Sequence, residues 1–284
     1  MRRTAVLVMG MTLLALAGAG EARPAEPIPA AAGVVSGFVI HSSRSFTRFM
    51  FWPEGVMIDV EGTEGGGAHH AHQVQRPVVG VAAKEDDVAW VAFDVALYYD
   101  CFEIKGCKQK PNRVVRATTL LESGAALAVH IADPFTGKAY AAAIKSGKKP
   151  EALPRKIDKG AEAAVRVFES TIADPKAFAA TVSERPDVIL LGSEAAERWV
   201  GGDKVKAALT KWKLGFKVRD GIQAGVSGGG TVAWVAANVD AARVGKAGTA
   251  SPYRMTAIYE KTGADWKVVA LQFSFYENPY EEMP

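Results

Sequence analysis

Three histidines fall within four residues in Gly65-Gly66-Gly67-Ala68-His69-His70-Ala71-His72. Imidazole is a common ligand of zinc and copper, so His69, His70 and His72 are candidates for a weak metal site. A glycine run, however, gives the rings no surrounding groups to orient them, and Glu61 and Glu64 are the only carboxylates close in sequence. An exposed loop is the plainer reading, and no cofactor is expected. The two cysteines, Cys101 and Cys107, are separated by a short segment containing Gly106. In an oxidising compartment such a pair closes a disulfide across a hairpin or loop. A redox-active pair would instead have two intervening residues at a helix start.

Gly228-Gly229-Gly230 lacks the Lys-Ser/Thr ending of a phosphate-binding loop and does not open a helix, which makes it a hairpin turn. No Gly-x-Ser-x-Gly or His-Glu-x-x-His motif occurs, so nucleophilic hydrolysis and zinc peptidase chemistry have no motif support.

The segments that carry these residues are set out by a basic start, Met1-Arg2-Arg3, and an apolar stretch from Ala5 to Ala17. The stretch is short for a membrane span, and small residues follow it, so residues 1–22 read as a removable export signal. The protein is then expected to be periplasmic or secreted. With 49% hydrophobic and 23% charged residues the chain has a globular composition. Its net charge of +3 is too small and scattered for nucleic-acid binding, and no second segment is apolar enough to span a membrane.

An internal repeat divides the chain. Asp87-Val88-Ala89-Trp90-Val91-Ala92-Phe93-Asp94-Val95 matches Thr231-Val232-Ala233-Trp234-Val235-Ala236-Ala237-Asn238-Val239. The match continues, with Arg116-Ala117-Thr118-Thr119-Leu120-Leu121-Glu122 parallel to Arg254-Met255-Thr256-Ala257-Ile258-Tyr259-Glu260. The first copy is longer between its tryptophan and its arginine, in the connection that carries Cys101 and Cys107. The expected organisation is a first copy over 33–145, a Lys-, Gly- and Pro-containing linker over 146–156 and a second copy over 157–277. Residues 33–60 are apolar without a clean period and resist assignment.

In the second copy, Asp158 is placed to cap a helix bearing Val165, Phe168 and Ile172, and Asp174-Pro175 reads as a cap followed by proline at the first helical position. A strand follows at 187–192, then a helix capped by Asp203 with Val205, Ala208, Leu209 and Trp212 on one side. Strands over about 216–226, 230–240, 253–260 and 266–275 complete an antiparallel meander. Helices followed by a meander describe an α+β domain.

That order, with Arg254-Met255-Thr256-Ala257 and Trp266-Lys267-Val268-Val269-Ala270-Leu271-Gln272-Phe273-Ser274, resembles the SnoaL-like domain of the nuclear transport factor 2-like superfamily. The resemblance implies two tandem cone-like domains, each a curved antiparallel sheet with helices in its concave side, the first lacking at least one helix. It also implies that the two copies pair through their sheets within one chain, with a homodimer as a further option. Family members often carry a histidine in the last strand, where this chain has Gln272.

By alternation, Val268, Ala270, Gln272 and Ser274 should share one face of that strand and line an opening, while Val269, Leu271, Phe273 and Phe275 share the packed face. Trp199, Trp212, Trp234, Tyr253, Tyr259 and Gln272 are the expected lining of the second cone, with Asp133 at the collinear position of the first. The leading expectation is a non-catalytic binding or interaction protein holding an apolar small molecule or a partner. The alternatives are a lyase or isomerase acting on a hydrophobic substrate by acid–base chemistry, and a metal binder through the histidine loop.

Overall fold

The computed structural model describes residues 6–8, 37–41, 46–52, 55–59, 71–98, 110, 113–123, 125–132, 152–245 and 250–275. Two compact units are present: Met1–Val81 with Asp86–Val129, and Ala82–Glu85 with His130–Pro284. His69, His70, Cys101, Cys107, Asp133 and most of the expected linker lie outside the described residues, and of His72 only its place in a strand is described.

The first unit is built on an eight-stranded sheet in which sequence order is sheet order. Its strands are β1 (Val6–Val8), β2 (Gly37–His41), β3 (Phe46–Trp52), β4 (Gly55–Asp59), β5 (Ala71–Val81), β6 (Val88–Tyr98), β7 (Arg113–Glu122) and β8 (Ala125–Ala132). The segment that resisted assignment thus supplies three short strands, and the described residues of this unit contain no helix. The edge strand β1 falls inside the stretch read as an export signal.

Residues Val88–Phe93 of β6 are all buried, as their unbroken apolar composition demands. At the end of that run sits Asp94, also buried, whose Oδ1 accepts from Arg116 Nε at 2.9 Å on β7. Between Gln75 and Val78 the register of β5 shifts, and Arg76 takes a left-handed φ of 51° there. The irregularity turns the Arg76 guanidinium back onto Asp94.

The second unit is α+β, its described residues forming three helices and a seven-stranded sheet. The helices are α1 (Glu162–Thr171), α2 (Pro175–Ala180) and α3 (Gly202–Trp212). The strands are β9 (Lys156–Ile157), β10 (Ile189–Leu191), β11 (Arg198–Val200), β12 (Leu214–Val226), β13 (Val232–Arg243), β14 (Ser251–Thr262) and β15 (Asp265–Ser274), in the sheet order β11-β10-β15-β14-β13-β12-β9. The long strands pair antiparallel, whereas β10 joins β15, and β9 joins β12, in parallel.

Helix ends show where local sequence decides. Asp174 caps α2 as expected, its Oδ1 accepting from Lys176 N at 2.8 Å with Pro175 in the first turn. The other two expected caps are corrected. Helix α1 is entered at Ala161 with no side-chain cap, and Asp158 contributes only its backbone carbonyl to Ala161 N. Helix α3 is entered at Gly201, with a φ of 97°, while Asp203 stands inside the first turn, where its charge suits the helix dipole. A β-carbon on Gly202 would lie 2.1 Å from the Ser183 carbonyl oxygen, so only glycine admits the tight passage from β11 into α3.

The two tryptophan strands occupy matching registers, each within its own sheet. Trp90 faces Leu120 across β6 and β7, and Trp234 faces Ile258 across β13 and β14. Val88 faces Glu122 as Val232 faces Glu260, and Asp94 faces Arg116 as Asn238 faces Arg254. Each indole also lies over a glycine of the preceding strand: a β-carbon on Gly80 would meet Trp90 at 2.1 Å, and one on Gly225 would meet Trp234 at 2.6 Å. A register shift interrupts both strand pairs at the corresponding place, between Gln75 and Val78 and between Val218 and Ile222.

Replacing Asp94 by Asn removes a carboxylate from the buried Arg116 and should cost roughly 3–5 kcal/mol. Arg76 is 57% exposed, and Arg76→Ala should cost less than about 1 kcal/mol. Urea unfolding of the two variants checks the contrast, and comparable losses would contradict it.

Candidate functional site

Side chains on the helix-covered face of the second sheet form one apolar cluster. It joins Phe216, Ile222 and Ala224 of β12, alternate residues Ala233 to Ala241 of β13, Tyr253 to Tyr259 of β14, and Val268, Leu271 and Phe273 of β15 with Ala164, Val165 and Phe168 of α1. The sequence assignment of the last strand is reversed here. A one-residue irregularity between Ile258 and Tyr259 leaves Val269 as the extra residue of β15, so Val268 and Leu271 come to the same face. The bulky Leu271, Phe273 and Phe275 lie under the helices, and Ala270, Gln272 and Ser274 face the other way.

The expected lining therefore divides. Trp199, Trp212, Tyr253 and Tyr259 belong to the helix-covered side. Trp234 and Gln272 do not: Trp234 is in register with Ile258 and Ala270, and Gln272 with Thr256, on the opposite face. Asp133, as stated, is outside the described residues.

On the helix-covered side the aromatic rings run in sequence. Trp199 meets Trp212 edge to face at 5.0 Å, Trp212 meets Phe273 at 6.0 Å, and Phe273 stacks on Phe216 at 5.0 Å. Tyr253 stacks on Phe275 at 4.6 Å. The strand β11 carries Trp199 opposite Leu190 of β10, and Trp212 is the last residue of α3, so the Gly201-Gly202 passage sets the distance between the two indoles. Phe216 and Phe273 are buried, whereas Trp199 and Trp212 are only partly so, and the run reaches the surface at its tryptophan end.

Tyr259 stands apart within this cluster. It is fully buried, and its hydroxyl has no hydrogen-bond partner among the described residues. Burial pushes its pKa well above the ordinary tyrosine value, so the group is a neutral O–H donor.

On the opposite face lies a histidine that no sequence motif marks. His130, near the end of β8 and part of the second unit, has its Nε2 2.7 Å from Ser274 Oγ and its Nδ1 3.0 Å from Thr256 Oγ1. A neutral imidazole donates to one hydroxyl and accepts from the other. Burial first, and then the nearby positive charge of Arg254, lowers the His130 pKa to about 3. The Ser274–His130 pair has the spacing of a nucleophile and its base, but the hydrogen bond on the second ring nitrogen is to a threonine rather than a carboxylate, and both residues are buried. His130 thus bridges two buried side-chain hydroxyls. Its partners lie more than a hundred residues away along the chain, so no local pattern announces it.

The glycine run at 228–230 lies in the β12–β13 hairpin, as its sequence suggests, and it also cradles a carboxylate. Glu85 accepts from Ser227 Oγ at 2.9 Å, from Gly229 N at 3.1 Å, and from both the backbone and the hydroxyl of Thr231. Nearby, Glu260 accepts from Ala83 N at 2.6 Å and from Arg185 Nη1 at 3.0 Å. Among the described residues no group of three or more His, Cys, Asp or Glu side chains is placed to hold a metal, and no helix is long and apolar enough to cross a membrane.

Residues 162–277 match the family model of the SnoaL-like domain. No curated protein matches the chain. Solved structures with some likeness include a candidate ketosteroid isomerase from Parabacteroides distasonis, at 17% identity over 40% of this chain and 86% of that one, with a TM-score of 0.33. A candidate calcium/calmodulin dependent protein kinase II association domain from Xanthomonas campestris is 18% identical over 46% of this chain and 96% of that one, with a TM-score of 0.36. An NTF-2 like protein of unknown function from Shewanella oneidensis is 17% identical over 40% and 97%, with a TM-score of 0.31.

Because the folded pKa of His130 is depressed, the unfolded chain takes up a proton that the native protein refuses. That part of the stability is complete above the unfolded pKa of about 6.5 and is lost as the pH falls toward 3. At pH 5 the loss should be roughly 2 kcal/mol. Urea unfolding between pH 7.5 and 5 should show it, and a His130→Gln variant should show a flatter profile; equal slopes for the two proteins would refute the assignment.

Proposed function

We propose that the second unit, whose residues 162–277 match the family model of the SnoaL-like domain, is a non-catalytic binding module whose helix-covered interior receives an apolar, ring-bearing small molecule. The observation that carries this is the aromatic run from the partly exposed Trp199 and Trp212 to the buried Phe273 and Phe216. Rings arranged edge to face and stacked offer a flat apolar guest both contact area and orientation.

Acid–base chemistry would need a titratable group facing the guest with a pKa suited to proton transfer. Among the described residues, the buried histidine and carboxylates of this unit face elsewhere. His130 and Glu260 lie on the other side of the sheet, and Glu85 is held in the hairpin turn at 227–231. This distribution favours binding over a lyase or isomerase reaction.

Titration of the full chain with fluorene, followed by tryptophan fluorescence and calorimetry, tests the proposal. Saturable binding is expected, with Trp212→Ala weakening it about tenfold or more. Absence of saturable binding, or an unchanged affinity in the variant, would remove the basis for the reading.

We also infer that the first unit is a reduced copy of the second, supported by the matching registers around Trp90 and Trp234. Relatives in which the counterparts of Gly80 and Trp90 vary independently of one another would count against it. Export and the Cys101–Cys107 disulfide rest on sequence alone. One intact-mass measurement on the secreted product tests both: it should show loss of the first 22 or so residues and of two hydrogens. A full-length, reduced mass would overturn both.

A further inference from the structure

We propose that the second unit docks on the surface of an anionic lipid bilayer at the corner where α3 turns into β12, with Lys211, Lys213 and Arg243 against the headgroups and Val244 and Trp212 entering the interface. Docking at this corner needs no guest in the helix-covered interior.

Charge at this corner is one-sided. From Lys204 to Arg219 the sequence has six basic residues and no acidic one. Two of the six are paired, Lys206 with Glu184 and Arg219 with Asp240. Lys211 and Lys213 are exposed and have no ion pair among the described residues. The fold then brings a third cation to them. Lys213 ends α3 with a left-handed φ of 54°, so the chain passes straight into β12, where Leu214 is in register with Arg243 of β13. Arg243 is exposed as well, and it too has no ion pair among the described residues. The chain as a whole carries only +3, so the attraction is local and acts within a Debye length of about 10 Å at 0.1 M salt. Anionic headgroups present a plane of charge at that distance.

Apolar side chains stand among those cations. Val244 donates its backbone N–H to the Lys213 carbonyl at 3.0 Å, and its side chain lies beside Gly215, where a β-carbon would come within 3.2 Å of it. Among the described residues it is the large apolar side chain that stands out into solvent, at 55% exposure. Trp212 and Leu214, on either side of Lys213, are partly exposed. A dissolved polyanion such as RNA rewards the cations and leaves the valine in water. A bilayer rewards both, because an aliphatic side chain gains from the acyl boundary and an indole from the headgroup level. That combination selects the lipid surface.

Flotation of the full chain with vesicles of phosphatidylcholine, alone or mixed with phosphatidylglycerol, tests the proposal. The chain should float only with the anionic vesicles, and raising the salt from about 0.1 to 0.5 M should release it. A basic side chain at such a surface is worth about fivefold in affinity, so Lys211→Gln, Lys213→Gln and Arg243→Gln together should weaken binding about a hundredfold. Val244→Ser should weaken it about fivefold without any change of charge. A control carrying Lys156→Gln, Lys159→Gln and Lys176→Gln removes the same charge from exposed sites elsewhere on the unit and should bind like the wild type. All the substituted side chains are exposed, and unchanged urea midpoints verify that each variant is folded. An equal loss in the control would make net charge the cause and overturn the proposal. So would flotation with phosphatidylcholine alone, no flotation with either vesicle, undiminished binding by Val244→Ser, or single-stranded RNA held as tightly as the anionic vesicles.

Discussion

Side-chain alternation along β15, reset by one extra residue, governs what each face of the second sheet can do. Without the irregularity at Val269, alternation would place Val268 with Ala270, Gln272 and Ser274, opposite Leu271 and Phe273. With it, Val268 and Leu271 share the helix-covered face, and that face is apolar from Trp266 to Phe275. The aromatic run depends on this, because Phe273 is the ring on which both Trp212 and Phe216 converge. So does the polar face behind, where Gln272 and Ser274 fall in register with Thr256 and Arg254.

The partition of chemistry follows. On the far face, the two ring nitrogens of His130 reach hydroxyls on two adjacent strands. A histidine used in this way must stay neutral, and burial next to a positive charge keeps it so. The helix-covered face has no comparable network; its one fully buried hydroxyl, on Tyr259, is left without a partner among the described residues.

How much of this was legible in the sequence depends on the range over which each feature is determined. The meander of β12 to β15, the Asp174-Pro175 helix start and the turn at 228–230 are set by neighbours a few residues apart, and they stand where composition and alternation put them. The SnoaL-like resemblance was legible for the same reason, since its segments are contiguous. Period 2 holds only until a bulge intervenes, and nothing in Trp266-Lys267-Val268-Val269-Ala270 marks Val269 as the extra residue. The helix starts at Ala161 and Gly201 were misplaced because a nearby aspartate is a good cap only if the backbone turns there, and Gly202, pressed against Ser183, fixes the turn instead. His130 was invisible because both its partners are brought to it by tertiary structure.

The matching stations Asp94–Arg116 and Asn238–Arg254 show how one register supports different electrostatics. In the first sheet a buried carboxylate faces the arginine and hydrogen-bonds it directly. In the second the strand residue is an amide, and the carboxylate has moved to Asp220, at the irregularity in β12, where it accepts from Asn238 Nδ2 at 3.1 Å. Burial, and then the nearby positive charge of Arg254, hold His130 uncharged.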